Sequence, residues 1–371
     1  MGLRVPIPLD EYPIHQAPLP MDRVAGSDRN FYDRCYFNAH DRTGEIFLVT
    51  GLGVYPNLGV IDAYATARCG DRQWSVRFSD ALAERSLEQR VGGYRVEVVE
   101  PLRRLTVSCE SADGGIDFSL RWTAAFPAVQ EEPHLLLAGR RPILDASRFS
   151  QLGNWSGRLR VGNREFTVTA DQWSGARDRS WGIRPVGDPD PPGRTAAEPA
   201  AGFWWLYVPL QFESCSLIVI LQEDPDGYRT VNDAKRVWKD GRVEQLGWPR
   251  VDISYRAGTR HPQAARIHLA DRAGRPLAVD VETVTSVPLH VGAGYSGDPD
   301  WSHGQWMGRQ WSRSSVYDLN DPAVAGRMPF GVTDHLARAR LDGEEGWGMF
   351  EHASIGRHDP SGFADWSAVA P

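Results

Sequence analysis

FYDRCYFNAH (residues 31–40) and GFWWLYVPLQ (residues 202–211) decide how this chain folds. Both are short and rich in aromatics, the character of an opening β-strand. Laid over one another at an offset of 171 positions, Tyr36 falls on Tyr207. The same offset brings Asp62 onto Asp233, Ala63 onto Ala234, Gly70 onto Gly241, Arg95 onto Arg266 and Arg104 onto Arg275. Further on, GRLRVGN (157–163) resembles ARARLDG (337–343), now shifted by 180. A constant offset held over such a stretch implies two copies of one β fold.

The rest of the chain agrees. EIFLVTG, RQWSVRFS, YRVEVVE, RLTVSCE, IDFSLRWT, GRLRVG, EFTVTAD and SLIVILQED are short, rich in Val, Ile, Phe and Thr, and mostly bounded by Gly, Asp or Pro. Several alternate apolar and polar residues, as antiparallel strands with two different faces do. One helix is expected, over residues 79–91 (SDALAERSLEQRV), from its Ser/Asp start and the helix formers behind it. PVGDPDPPGRTAAEPAA, with five prolines, reads as a linker over 185–201. It separates an N-terminal domain (1–184) from a C-terminal one (202–371), each long enough for its own core. The class is all-β, and two packed antiparallel β-barrel domains close the sheet edges most simply.

Composition narrows the function. The 371 residues are 41% hydrophobic and 24% charged, a globular balance. Fourteen tryptophans point to the walls of a ligand cavity as well as to core. The net charge is −7, and Lys235 and Lys239 are the only lysines. Nucleic acid is therefore an excluded partner, because its binding needs clustered positive charge. Cys35, Cys69, Cys109 and Cys215 are far apart and form no CxxC pair, which fits free thiols in a reducing cytoplasm. The first residues lack the apolar core of a signal peptide, and no apolar run is long enough to span a bilayer. A homodimer is left open.

The chemistry concentrates in GARDRSWGIR (175–184), which sets a carboxylate and three arginines beside a tryptophan. As a strand it puts Asp178, Ser180 and Gly182 on one face and Arg177, Arg179 and Trp181 on the other. One face must look into a barrel or a domain interface, where a charge needs a partner. Asp178 or Arg179 therefore belongs to a polar network, either a structural ion pair or an acid tuned by an apolar cavity. The matching segment is GWGMFEHAS (346–354), with Glu351 and His352 in an aromatic setting and on opposite faces. Asp178, Glu351 and His352 then form a candidate acid–base set across the repeat. WSHGQWMGRQWS (301–312) spaces its tryptophans every five residues, which suits one face of neither strand nor helix, so it reads as an aromatic loop and a candidate lid. There is no phosphate loop, dinucleotide fingerprint, nucleophile elbow or HExxH. His352, His358, Glu351 and Asp359 match no usual metal spacing. No metal and no cofactor are expected.

ARDRSWGIR, the following GFWWLYVPLQF and SLIVILQEDPDG, and the closing GWGMFEH resemble the AttH-like and carotenoid 1,2-hydratase (hydroxyneurosporene synthase) group. The resemblance implies two tandem lipocalin-like barrels and an apolar ligand of the terpenoid, steroid-like or polyketide kind. It implies cofactor-independent acid–base chemistry such as hydration, dehydration, isomerisation or cyclisation, with a non-catalytic lipophilic carrier as the alternative. Asp178 is then the acid, with Arg179 and Arg184 setting its charge and Glu351 and His352 as a second acid–base group. Trp181, Trp204, Trp205, Tyr207, Trp306 and Trp311 would line the pocket. The usual pattern has His or Gln after the Asp, and Arg179 stands there instead, which removes a His-based proton relay at that point.

Overall fold

The computed structural model describes residues 8–84, 87–138, 140–189, 201–295 and 298–371. The expected linker, 185–201, lies largely outside them. All eight quoted strand segments are strands, and every strand pairing is antiparallel. The first sheet has 14 strands among the described residues. Its centre runs Arg72–Ala81, Val60–Cys69, Phe47–Tyr55, Phe31–His40, Ser174–Ile183 and Arg141–Val161. It curls until Arg72–Ala81 approaches Gln89–Val91, which makes a half-barrel. The second sheet has nine strands centred on Arg229–Trp238, Cys215–Glu223, Gly202–Gln211, Glu344–Gly356 and Thr333–Leu341. Its ends also meet, giving a nearly closed barrel. No helix among the described residues is long and apolar enough to cross a membrane.

The two opening strands, Phe31–His40 and Gly202–Gln211, hold the same place in each sheet, beside the closing strands Ser174–Ile183 and Glu344–Gly356. The match of Tyr36 with Tyr207 is therefore structural. That of Asp62 with Asp233 is not: from Tyr36 the ladder leads through Gly51 to Tyr64, whereas from Tyr207 it leads through Ile220 to Asp233. The offset falls from 180 at GRLRVGN and ARARLDG to 173 at Asp178 and Glu351, because the first copy breaks into Arg164–Val168 and Ser174–Ile183 where the second runs unbroken as Glu344–Gly356.

The opening strands are buried on both faces, which explains the near-continuous apolar run of GFWWLYVPLQ. Cys35, Phe37 and Ala39 enter the core of the first sheet, and Trp204, Leu206, Val208 and Leu210 that of the second. Tyr36, Trp205 and Tyr207 face the other way, into a third core between the outer faces of the two sheets, together with Tyr64, Ile220 and Met349. Burying such side chains is worth roughly 1.5–3 kcal/mol each, and this third core fastens the halves together.

The expected helix over 79–91 is not formed. Arg72–Ala81 is a strand, and Ser79 pairs with Asp62 on one side and Trp311 on the other. Gln89–Val91 is a strand as well. Two ladders outweigh a local helical preference, which is a weak prior. The expected aromatic loop ends at Gln310, because Trp311–Asp318 is the strand that adds to the outer edge of the first sheet. The crossover before it is tied to strand Arg72–Ala81 through backbone carbonyls. Gln73 Nε2 donates to Val291 O (2.5 Å), Ser75 Oγ to Gly292 O, and Ser79 Oγ to Gln305 O (3.4 Å).

The glycines that bound GARDRSWGIR have steric reasons. A Cβ on Gly175 would lie 2.0 Å from Asn38 O, and one on Gly182 2.1 Å from Asp145 O. Gly182 also has φ of +133°, which disfavours any side chain. Gly182→Ala is expected to cost about 1–3 kcal/mol or more, because a backbone atom must give way. A urea midpoint unchanged from wild type would refute this account of the motif.

Candidate active site

The two closing strands approach one another where the outer faces of the sheets pack. Alternation turns Asp178 and Ser180 out of the first sheet, and Met349, Glu351 and Ala353 out of the second. Tyr36 lies directly opposite Asp178, and Tyr207 opposite Glu351. Each half thus presents a tyrosine and a carboxyl at the same point of its fold. The phenols reach across to the other half. Tyr36 OH donates to Asp334 Oδ2 (2.5 Å), and Tyr207 OH bonds Ser150 Oγ (2.7 Å). Asp334 stands opposite Glu351 in register, as Ser150 stands opposite Asp178. The two crossed bonds are counterparts, with an acid at one site and a serine at the other.

Beside them lies a cavity of about 300 Å³, lined in part by Asp178, Glu351, Arg148, Trp205, Tyr36 and Tyr295. Asp178 is buried and makes no hydrogen bond or ion pair among the described residues. Burial pushes its carboxyl up to about 7; Arg148 pulls it down, while Glu131 and Glu351 push it further up. Arg148 is already engaged. Its Nε donates to Glu131 Oε2, and its guanidinium lies 4.5 Å from the Tyr207 ring centre and 5.6 Å from that of Trp205. Glu131 also accepts from Ser150 Oγ. Trp205 Nε1 donates to Glu351 Oε1, which fixes that carboxylate at the wall. Burial, then the like charge of Glu351, push Asp334 well above the usual carboxylate range, so this acid favours its protonated form. His134 lines the cavity too; burial, then Arg148, lower it to about 3, so its ring is neutral near pH 7.

The structure brings some of the sequence-predicted residues to this cavity and sends others elsewhere. Asp178, Glu351, Trp205 and Arg184 line it, and Tyr207 is buried just behind. His352 turns into the second barrel. Its Nδ1 bonds Trp205 O (2.7 Å) and its Nε2 meets Tyr255 OH (3.1 Å). Burial lowers it to about 3. Trp204 points the same way, its ring stacked on His358 at 5.2 Å. Arg179 faces the concave side of the first sheet, paired with Asp33 (2.9 Å). With Trp311 it lines a separate cavity of about 810 Å³. Trp181 and Trp306 are exposed, at 36% and 50%, and neither lines the cavity beside Asp178. Trp301 is buried against Tyr64 and His303 and forms no lid. Sequence reasoning missed Arg34, Glu131, Arg148, Tyr295 and Asp334. Only Tyr36 carried a usable signal, its match with Tyr207. No group of three or more His, Cys, Asp or Glu among the described residues is arranged to hold a metal ion.

The chain belongs to a family of unknown function, DUF8625, whose model matches residues 7–364. No curated protein matches it. Among solved structures it is similar to kievitone hydratase from Nectria haematococca, at 12% identity and a TM-score of 0.51, over 90% of each chain. It is similar to an AttH-type protein from Nitrosomonas europaea, at 14% identity and a TM-score of 0.52, over 94% of this chain and 99% of that one. It is also similar to CghA solved with Sch210972, at 13% identity and a TM-score of 0.52, over 88% of this chain and 89% of that one. The fold is therefore the AttH-like, tandem lipocalin-like one.

Asp178 couples this site to stability. Its folded value, about 7, lies above the ordinary 3.8 of the unfolded chain. The stability carried by its proton is fully present below the unfolded value and is lost as pH rises towards 7. Asp178→Asn lacks that loss. Between pH 4 and pH 8, wild type should lose up to about 4 kcal/mol more stability than the variant. Asp62, also pushed up to about 7 by burial, titrates in both proteins and cancels. Parallel stability profiles of the two proteins would contradict the assignment.

Proposed function

We propose that this protein is an enzyme that binds a hydrophobic small molecule between its two sheets and carries out cofactor-independent proton transfer on it, in a hydration, dehydration, isomerisation or cyclisation. One observation carries the reading: Asp178 is an unpaired carboxyl in the wall of an aromatic cavity, with a proton affinity near neutral. A structural ion pair would have bound it to Arg148, but that guanidinium is held by Glu131. An acid titrating near 7 can both give and take a proton at physiological pH, the condition under which general acid–base catalysis is most effective.

The surrounding groups take definite roles. Asp178 delivers or removes the proton. Arg148, close enough to favour loss of the proton but bonded to Glu131, steadies the carboxylate once the proton has left. Glu351, held by the Trp205 indole, is the second carboxyl for a step needing acid and base together. The faces of Trp205 and Tyr295 flank positive charge developing on a substrate carbon. His352 acts at one remove, by holding the backbone of Trp205. The fold shared with a hydratase, and with CghA, solved with the small molecule Sch210972, supports this class of activity.

Native mass spectrometry of the protein purified from its host, followed by extraction, is expected to release an apolar metabolite. Wild type should convert it or a close congener. Asp178→Asn should slow conversion about 10²-fold or more, the usual contribution of a positioned acid or base. The wild-type profile should carry a limb near pH 7. Full turnover by Asp178→Asn would overturn the assignment, and tight binding without conversion by wild type would make the protein a carrier.

A further inference from the structure

The cavity beside Asp178 holds guanidinium groups that have no ion-pair partner among the described residues. Of its three arginines, Arg148 is bound to Glu131. Arg34 and Arg184 make no ion pair among the described residues, yet Arg34 is only 5% exposed and its Nη1 has no hydrogen-bond partner. The guanidinium of Arg34 lies 5.1 Å from the ring centre of Tyr295. That of Arg184 lies 5.9 Å from the same ring and 5.5 Å from that of Tyr32. Two cations are thus gathered around one phenol. Asp62 acts on Arg34 but spends its oxygens on Tyr55 OH (3.1 Å) and Gly304 N (2.6 Å), and Asp178 feels Arg34 without an ion pair to it. A guanidinium cannot shed its proton to escape burial, so its positive charge persists.

Geometry gives this charge a purpose. A second cavity, of about 410 Å³, shares Arg34, Ile143, Arg184, Pro185 and Tyr295 with the first. The two arginines therefore stand at the junction of the cavities. On the Asp178 side the walls include Leu136, Leu144, Phe203 and Val332. The lining of the first cavity thus combines carboxyls, apolar and aromatic surface, and guanidinium groups that make no ion pair among the described residues.

We propose that Arg34 and Arg184 form an anchoring site for a carboxylate carried by the ligand, so that the substrate is an apolar organic acid whose reacting carbon is presented to Asp178. Guanidinium and carboxylate match in plane and in donor–acceptor spacing, and a planar two-oxygen anion supplies the partner that Arg34 Nη1 lacks. This deepens the proposed function and rests on it, but its test reads binding and not turnover.

The probes are phenylacetate, 4-phenylbutanoate and decanoate, each beside its neutral primary amide, with affinity read by thermal shift and titration calorimetry. Wild type is expected to bind at least one acid about tenfold more tightly than its amide, in line with a charge-assisted bidentate contact. Arg34→Met should bring acid and amide within about threefold of one another, and Arg184→Met should weaken the acid in the same direction. If Arg34→Met does not fold, Arg184→Met decides. The proposal is overturned if no acid is preferred over its amide, or if the acid binds the folded variants as it binds wild type. Loss of turnover in Asp178→Asn without any preference for acids would keep the enzyme and discard the anchor. A clear preference for acids with full turnover by Asp178→Asn would do the reverse.

Discussion

Polar groups trapped between two sheets must find partners, and the way they do so here determines the rest of the molecule. The outer faces of the sheets meet in a core of aromatic and aliphatic side chains that also contains tyrosine hydroxyls and carboxyls. Left unpaired, such groups cost more than the apolar contacts around them return. Each phenol therefore satisfies itself on the opposite half. Tyr36 takes Asp334 and Tyr207 takes Ser150, and Glu131 and Arg148 complete the second of these sites. Once these bonds are made, the carboxyl of Asp178 and the guanidinium groups of Arg34 and Arg184, beside the same cavity, make no ion pair among the described residues.

The pseudo-repeat supplies the frame, and its imperfections supply the site. The two halves agree in placing a tyrosine opposite an acid: Tyr36 and Asp178, Tyr207 and Glu351. They differ one strand further on, where Asp334 stands in one copy and Ser150 in the other. With Asp334 beside it, Glu351 has a second carboxyl as cross-strand neighbour. Asp178 has a small hydroxyl there, and the space is taken by the Glu131–Arg148 pair. Two acids in equivalent positions thus acquire different surroundings.

Much of this was legible in the sequence. Aromatic opening strands, alternating segments and the repeat marked the β class, and the charged motif strands stood out in both halves. Asp178 and Glu351 could be named because a charge beside aromatics in a strand that faces a barrel or an interface must belong to a polar network. Arg34, Glu131, Arg148 and Asp334 could not. Each looks ordinary in its own segment, and only the register across the interface brings it to the cavity. Strand alternation put Glu351 and His352 on opposite faces, but could not say which face met the other half. The helix expected over 79–91 failed for a related reason, since the partner strand that claims Ser79 lies more than two hundred residues away.

That distant strand bears on how the protein is made. Trp311–Asp318 covers the edge of the first sheet, yet it leaves the ribosome long after Arg72–Ala81. Throughout that interval the nascent first half carries a bare sheet edge, the kind that recruits neighbouring chains. The uncovered strand holds Gln73, Ser75, Arg77 and Ser79 at alternate positions, all wholly buried in the finished protein. Four polar residues are an odd choice for a buried strand face and a sensible one for a face that must first wait in water.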